Sequence, residues 1–129
     1  MALEQIIAYK KSLMAQRPQV NKELKKSCKS LSKALKKQDC SFIFEIKPKS
    51  PSKGILKTDI NVVDIAHTYE PFADAISVLA DEKYFGGSLN NVKMVSEHAI
   101  CPILCKDVVV SPLQVVEARA FGADVVLLM

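Results

Sequence analysis

An acid and a base stand together at the end of the first strand-like segment of the chain, where they could bind or protonate a ligand. In FIFEIK (42–47), alternate side chains point to opposite faces of a strand, so Glu45 and Lys47 share one face. Burying an unpaired charge is costly, so a strand keeps both on its core face only where that face opens to water or a ligand. The alternative is an exposed ion pair on an edge strand.

The loop that follows favours the interpretation as a site. PKSPSKG (48–54) contains two prolines, two serines, two lysines and a glycine. Prolines restrict the backbone, and the lysines and serines supply hydrogen-bond donors, so this composition suits an anion. The sequence therefore predicts an anion-binding mouth at this end of the strand.

Further charged residues follow two other strand-like segments. Asp81 comes after 75–79, and Lys106 and Asp107 come at the end of 103–106. Barrel enzymes build their active sites at the carboxyl ends of their strands, and alternate strands fill the same interior layers. Lys47 and Lys106 lie on the first and third predicted strands, so they could face each other. Two lysines brought together need an anion, an acidic partner or a lowered pKa.

The elements that must position these residues alternate between strand and helix patterns after two helices. Those two helices are predicted from apolar stripes: Leu3, Ile6, Ile7, Tyr9 and Leu13, then Leu24, Cys28, Leu31 and Leu35. Strands are predicted at 42–47, 75–79, 103–106 and 124–129, and helices at 61–72, 89–98 and 112–121. The spacing between strand starts is that of parallel strands joined by crossover helices.

Helix boundaries carry recognisable signals. Asn61 can cap the first crossover helix, and Ser111 followed by Pro112 begins the third. Gly122 ends that third helix. An open dinucleotide-binding sheet needs a glycine-rich turn after its first strand, and 48–53 lacks one, so the α/β pattern favours a barrel.

Composition limits the functional classes. The 129 residues allow one domain, without a secretory signal or an apolar run approaching the roughly 20 residues of a membrane span. The net charge of +4 is unevenly spread, with +7 in residues 1–40 and −3 in residues 41–129. The lysines of residues 1–40 lack the interleaved aromatics of a nucleic-acid site and are interpreted as a solvated helix face. We expect a cytoplasmic protein with no nucleic-acid or membrane partner.

The cysteines and histidines give no independent sign of a metal. Cys28, Cys40, Cys101 and Cys105 lack disulfide-framework spacing, which is typical of a reduced compartment. His98 near Cys101 and Cys105 suggests ligands, but no second pair completes a tetrahedral set. We expect core thiols and a helix end instead.

Four segments carry a family resemblance: EIKPKSPSKG, AISVLADEKYFGGS, PILCKD and GADVVLLM. In this order and spacing they resemble indole-3-glycerol-phosphate synthase, and the likeness runs from residue 42 to residue 129. The resemblance implies a TIM (β/α)8 barrel of tryptophan biosynthesis, a carbon–carbon carboxy-lyase that uses no cofactor or metal. Its anionic substrate, 1-(2-carboxyphenylamino)-1-deoxyribulose 5-phosphate, carries a carboxylate and a phosphate.

The resemblance also implies roles for five residues. Lys106 would be the general acid, Lys47 would bind the departing carboxylate, and Glu45 would belong to the same catalytic group. Ser50 and Phe85 would line the substrate site. The sequence departs from the family at Val108, where an aromatic residue is usual, and at Ala80, where a hydroxyl residue is common.

Length sets a further expectation. A complete barrel takes about 250 residues, whereas this chain has 129. The resemblance thus implies four parallel strands forming the N-terminal half-barrel at 41–129, after a helical extension at 1–40, with little or no synthase activity alone. The alternatives are a non-catalytic half-barrel that binds anions or self-associates, and another phosphate-handling barrel lyase. Whether the intact protein is bifunctional, and its oligomeric state, stay open.

Overall fold

The computed structural model describes residues 2–37 and 39–129, and its main sheet is parallel. The helices are α1 (Leu3–Ala15), α2 (Leu31–Ala34), α3 (Val62–Tyr69), α4 (Glu82–Phe85), α5 (Leu89–His98) and α6 (Pro112–Ala120). The strands are β1 (Ile43–Ile46), β2 (Lys49–Ser50), β3 (Gly54–Ile55), β4 (Ala75–Leu79), β5 (Ile103–Lys106) and β6 (Val125–Val126).

The main sheet has the order β1-β4-β5-β6, with every neighbouring pair parallel. Helices α3, α5 and α6 are the crossovers between its consecutive strands. This is the βα alternation of the first half of a TIM barrel, so the predicted fold class is confirmed. The short strands β2 and β3 form a separate antiparallel hairpin directly after β1.

One face of the sheet packs against the crossover helices. The core joins alternate strand residues, such as Ile46, Val78 and Ile103, with helix residues such as Ala66 and Val92. Glu45, Ser77 and Leu104 are in register across β1, β4 and β5, one position out of phase with those core residues. The period of two therefore places them on the opposite face, which is the inner face of the half-barrel.

Local signals explain most of the element boundaries. The Asn61 side chain accepts hydrogen bonds from two N–H groups at the start of α3. Ser111 forms a capping box with Gln114 at the start of α6, and Pro112 is the first residue of that helix. Gly122 ends α6 at φ 94°, and a Cβ there would come within 2.2 Å of Ser96 Oγ. These predicted start and stop signals are confirmed.

The predicted second helix is wrong in extent. The stripe from Leu24 to Leu35 predicts several turns, but only α2 is helical. The segment before it crosses the amino-terminal side of the sheet, where the Lys25 carbonyl accepts from Arg119 and Lys29 Nζ donates to the Ala99 carbonyl at 3.1 Å. The Lys25 carbonyl, which would accept a hydrogen bond within a helix, is thus bonded to a distant arginine, and Ser30 then caps the single turn of α2.

Aspartates tie neighbouring strands together at the same end. Asp74, just before β4, accepts the Phe42 N–H at 2.8 Å and pairs with Lys37. Asp124, just before β6, accepts the Ile103 N–H at 2.9 Å. The hydrogen bonds from Lys37 and from the Phe42 N–H lower the pKa of Asp74. This end of the sheet is therefore organised for stability, as is usual at the bottom of a barrel.

Two smaller differences from the sequence prediction concern strand ends and loops. The fourth main strand is predicted at 124–129, but only Val125 and Val126 pair with β5. The hairpin of β2 and β3 and the short helix α4 are not predicted. Both lie in loops on the carboxyl side of the main strands, beside the predicted site residues.

Candidate functional site

Glu45, Lys47 and Lys106 meet at the carboxyl end of the sheet. Lys106 Nζ lies 2.7 Å from Glu45 Oε2, and Lys47 Nζ lies 3.4 Å from Glu45 Oε1. The two lysine side chains are each 38% exposed and the glutamate side chain 25%. A lysine from β5 thus joins a pair from β1 and its following loop, which disfavours the alternative of an isolated pair on an edge strand. The arrangement offers two ammonium groups to an anion arriving from solvent.

The electrostatics of Glu45 follow from this geometry. Burial by itself would raise the pKa of Glu45, but the hydrogen bond and charge of Lys106 act against it, helped by Ser77 and Lys47. The result is a pKa below the usual value, so the carboxylate is ionised at neutral pH. Its stabilising contribution is present above the unfolded-state pKa and is lost as the pH falls through the lower folded-state pKa.

Ser77 is a member of this cluster that sequence reasoning missed. Its register partner is Glu45, and its hydroxyl donates to Glu45 Oε2 at 3.1 Å. The signal was a small hydroxyl residue in the centre of the otherwise apolar segment AISVL. A polar residue on the inner face of such a strand needs a polar partner, and the neighbouring strand supplies it.

Ser50 lies in the hairpin that follows β1. Its side chain is largely buried, and its hydroxyl accepts the Lys53 N–H at 3.2 Å. The Leu56 N–H closes the loop by donating to the Pro48 carbonyl at 2.8 Å. The PKSPSKG segment is therefore a structured hairpin, and the Ser50 hydroxyl contributes to its internal bonding.

Phe85 lies on α4, which Asp81 caps. Asp81 Oδ2 accepts the N–H groups of Tyr84 at 2.5 Å and Phe85 at 3.2 Å. The same turn approaches the hairpin, because a Cβ on Gly86 would lie 3.4 Å from Lys49 Cγ. The loops that carry Ser50 and Phe85 are thus neighbours at the edge of the sheet where Lys106 ends its strand.

The α4 loop also packs closely on β4. A Cβ on Gly87 would lie only 1.9 Å from the Leu79 carbonyl oxygen, so only glycine fits there without backbone movement. The Gly87 N–H donates to the Asp81 carbonyl at 2.8 Å, and the Ser88 N–H donates to the Leu79 carbonyl at 3.2 Å. The loop that presents Phe85 is therefore fixed to the strand it follows.

A buried lysine from α1 contacts the aspartates that follow β4 and β5. Lys10 is 3% exposed, and its Nζ lies 2.8 Å from Asp81 Oδ1 and 2.7 Å from Asp107 Oδ1. Burial alone would lower the pKa of Lys10, but the adjacent carboxylates of Asp107 and Asp81 outweigh burial and raise it. Lys10 is therefore a permanent cation, which contradicts its interpretation as part of a solvated helix face.

Comparison with known proteins shows the family of the chain. The family model for Indole-3-glycerol phosphate synthase matches residues 3–129. The chain belongs to that family.

Curated relatives support the same assignment. The chain is 50% identical over 103 residues to the Tryptophan biosynthesis protein TrpCF of Helicobacter pylori, covering 80% of this chain and 23% of the relative. It is 50% identical over 101 residues to the Indole-3-glycerol phosphate synthase of Leptospira interrogans, covering 78% of this chain and 40% of the relative. The chain thus spans from about a quarter to two-fifths of the length of these relatives.

The cysteines near His98, considered above as possible metal ligands, are largely buried. Cys105 and Cys101 are free thiols, and burial raises their pKa to about 12 and about 11, which keeps them unreactive. Across residues 2–37 and 39–129, acids, histidines and cysteines do not gather in groups of three suited to a metal ion. In the same ranges, none of the helices is both long and apolar enough for a membrane span.

Proposed function

We propose that residues 1–129 supply the first half of an indole-3-glycerol-phosphate synthase site. The observation that carries this proposal is the convergence of Lys47 and Lys106 on Glu45 at the carboxyl end of the sheet. A substrate with a carboxylate and a phosphate suits such a cationic mouth. The division into a helical extension, 1–40, and a half-barrel, 41–129, belongs to the same proposal.

The proposed reaction converts 1-(2-carboxyphenylamino)-1-deoxyribulose 5-phosphate into indole-3-glycerol phosphate, carbon dioxide and water. The ring carbon that bears the carboxylate bonds to the ketone carbon, while Lys106 gives a proton to the ketone oxygen. Loss of the carboxylate as carbon dioxide returns its electron pair to the ring. The new hydroxyl then takes up a proton and leaves as water, while the adjacent methylene carbon gives up a proton to a base, and the carbon–carbon double bond of the indole forms. A positioned ammonium is a suitable acid for the first step.

The remaining residues have supporting roles in this proposal. Lys47 pairs with the substrate carboxylate until it departs, and Glu45 balances the two lysines before the substrate arrives. Phe85 packs against the aromatic ring, and Ser50 lines the substrate site within its hairpin. The chemistry uses no metal or cofactor, and tryptophan biosynthesis by this route belongs in the cytoplasm.

We also propose that the 129-residue chain alone has little or no synthase activity. Its main sheet has four strands, whereas a closed barrel has eight, and barrels commonly bind phosphate after strands seven and eight. A carboxylate general base and the phosphate site would therefore come from strands outside these residues. The alternative function, a non-catalytic half-barrel that binds anions or associates, shares the fold but requires no chemistry.

A completed barrel tests the proposed function. The carboxyl-terminal part of the Leptospira interrogans relative is joined after Met129, and formation of indole-3-glycerol phosphate is followed by indole fluorescence. We expect turnover by the chimera and none above background by the 129-residue chain. Substituting only residues 42–57 of this chain into the intact relative gives a second chimera with less risk of misfolding. Folded but inactive chimeras beside an active relative would contradict the proposal and favour an association module.

A further inference from the structure

Lys10 connects two strand ends that carry site residues. Its ammonium bridges Asp81, after β4, and Asp107, after β5, at 2.8 and 2.7 Å. One ammonium and two carboxylates are thus gathered in a buried position, with side-chain exposures of 4%, 1% and 13% for Lys10, Asp81 and Asp107. Such an arrangement tolerates little displacement, because each charge depends on its partners for compensation.

Each carboxylate in turn contacts the backbone of a candidate site element. Asp81 uses its second oxygen to accept the Tyr84 and Phe85 N–H groups. Asp107 directly follows Lys106 in sequence and accepts the Val108 N–H at 2.7 Å. Lys10 is therefore linked through Asp81 to the turn that carries Phe85. Through Asp107 it is linked to the end of the strand that carries Lys106.

A second contact joins α1 to the same loop independently of charge. The rings of Tyr9 and Tyr84 meet edge to face with centroids 5.6 Å apart, and Lys83 Nζ lies 4.4 Å above the Tyr9 ring. The Phe85 turn thus contacts α1 through an aromatic pair as well as through Asp81. Two kinds of interaction fix one helix against one loop.

We propose that Lys10 is a positioning residue of the site, whose ammonium sets the Phe85 turn and the Lys106 strand end in register with each other. The proposal rests on the proposed function only in naming Phe85 and Lys106 as site residues. A purely structural role would be served as well by an apolar side chain, since Ile6 and Met14 occupy the buried positions one turn away on either side. The buried charge instead lies where it contacts both strand ends.

Hydrogen exchange and NMR on the 129-residue chain test this role. In Lys10→Met, we expect the Tyr84 and Phe85 amides to lose at least about tenfold in protection beyond the global change, with a shifted Lys106 side-chain signal. Lys10→Arg keeps the charge and is expected to hold protection within about threefold of the native value. Arg17→Met is the matched control, because Arg17 contacts Glu117 on α6 at 2.9 Å.

Equal effects of Lys10→Met and Arg17→Met would overturn the proposal, and so would a loss in Lys10→Arg as large as in Lys10→Met. Should Lys10→Met not fold, native-state exchange of the unmodified chain gives the answer. The Phe85 amide is then expected to open together with α1, and protection of Phe85 through openings that expose α1 would overturn the proposal. None of these readouts uses turnover, so their failure is distinguishable from failure of the proposed function.

Discussion

Lys106→Met in the completed barrel is expected to lower kcat at least about 100-fold, which is the low end of the range for a positioned general acid. Methionine has a similar length but carries no proton to give to the ketone oxygen. KM is expected to change less, because Lys47 still offers a cation to the substrate carboxylate. Steady-state fluorescence assays on the completed barrel with and without Lys106→Met measure both constants.

The control for this change is Lys93→Met, on the exposed side of α5. It removes the same charge from the same chain without touching the carboxyl end of the sheet. We expect its kcat to match that of the unmodified chimera within error. Near-normal turnover by Lys106→Met, or an equal loss in both variants, would remove the general-acid role from Lys106.

Asp81→Ala is expected to lower the free energy of unfolding of the 129-residue chain by about 3 to 5 kcal/mol, as when one partner of a buried ion pair is removed. Asp81 is 1% exposed, so the change leaves Lys10 with one partner in a buried position. It also removes the side-chain cap of α4, a loss of about 1 kcal/mol within that total. Urea unfolding followed by circular dichroism measures the difference.

Glu97→Ala provides the comparison, because Glu97 is an exposed acid on α5. Surface substitutions of this kind usually change stability by no more than about 0.5 kcal/mol. A similar small change for Asp81→Ala would show that the buried charges contribute little to folding. The ion pairs of Lys10 with Asp81 and Asp107 would then not be what holds the α4 loop in place.

Much of the sheet could be predicted because its local signals agree with its tertiary environment. The bounds of β4, β5 and α5 match the expected 75–79, 103–106 and 89–98. In each case the apolar period and the buried face coincide, and Ser88 caps α5 with its side chain. Consistency between local and tertiary preferences is what makes such elements readable from sequence.

The segment before α2 could not be predicted because its structure depends on distant partners. Its apolar spacing indicates a helix, but Ser27 contacts Asp124 and Lys29 contacts the Ala99 carbonyl. These partners lie about 70 to 100 positions away in the chain. Tertiary contacts override helix propensity here, and no local signal announces them.

The candidate site was only partly accessible from sequence for a related reason. Strand parity brings Glu45 and Lys47 to one face, and the order of strands suggests that Lys106 meets them. Lys10 was hidden among the many lysines of residues 1–40, although its place four residues from both Ile6 and Met14 on a helix was a usable signal. A charged residue in the middle of an apolar stripe indicates a buried partner.

Ammonium groups from β5 and from the loop after β1 converge on the Glu45 carboxylate. A 13C NMR titration of the Glu45 side chain in the 129-residue chain measures this convergence. We predict a pKa below the ordinary value of 4.5 in the unmodified chain, an upward shift in Lys106→Met, and no change in Lys93→Met. A Glu45 titration midpoint that is the same with and without the Lys106 ammonium would show that the two side chains do not interact.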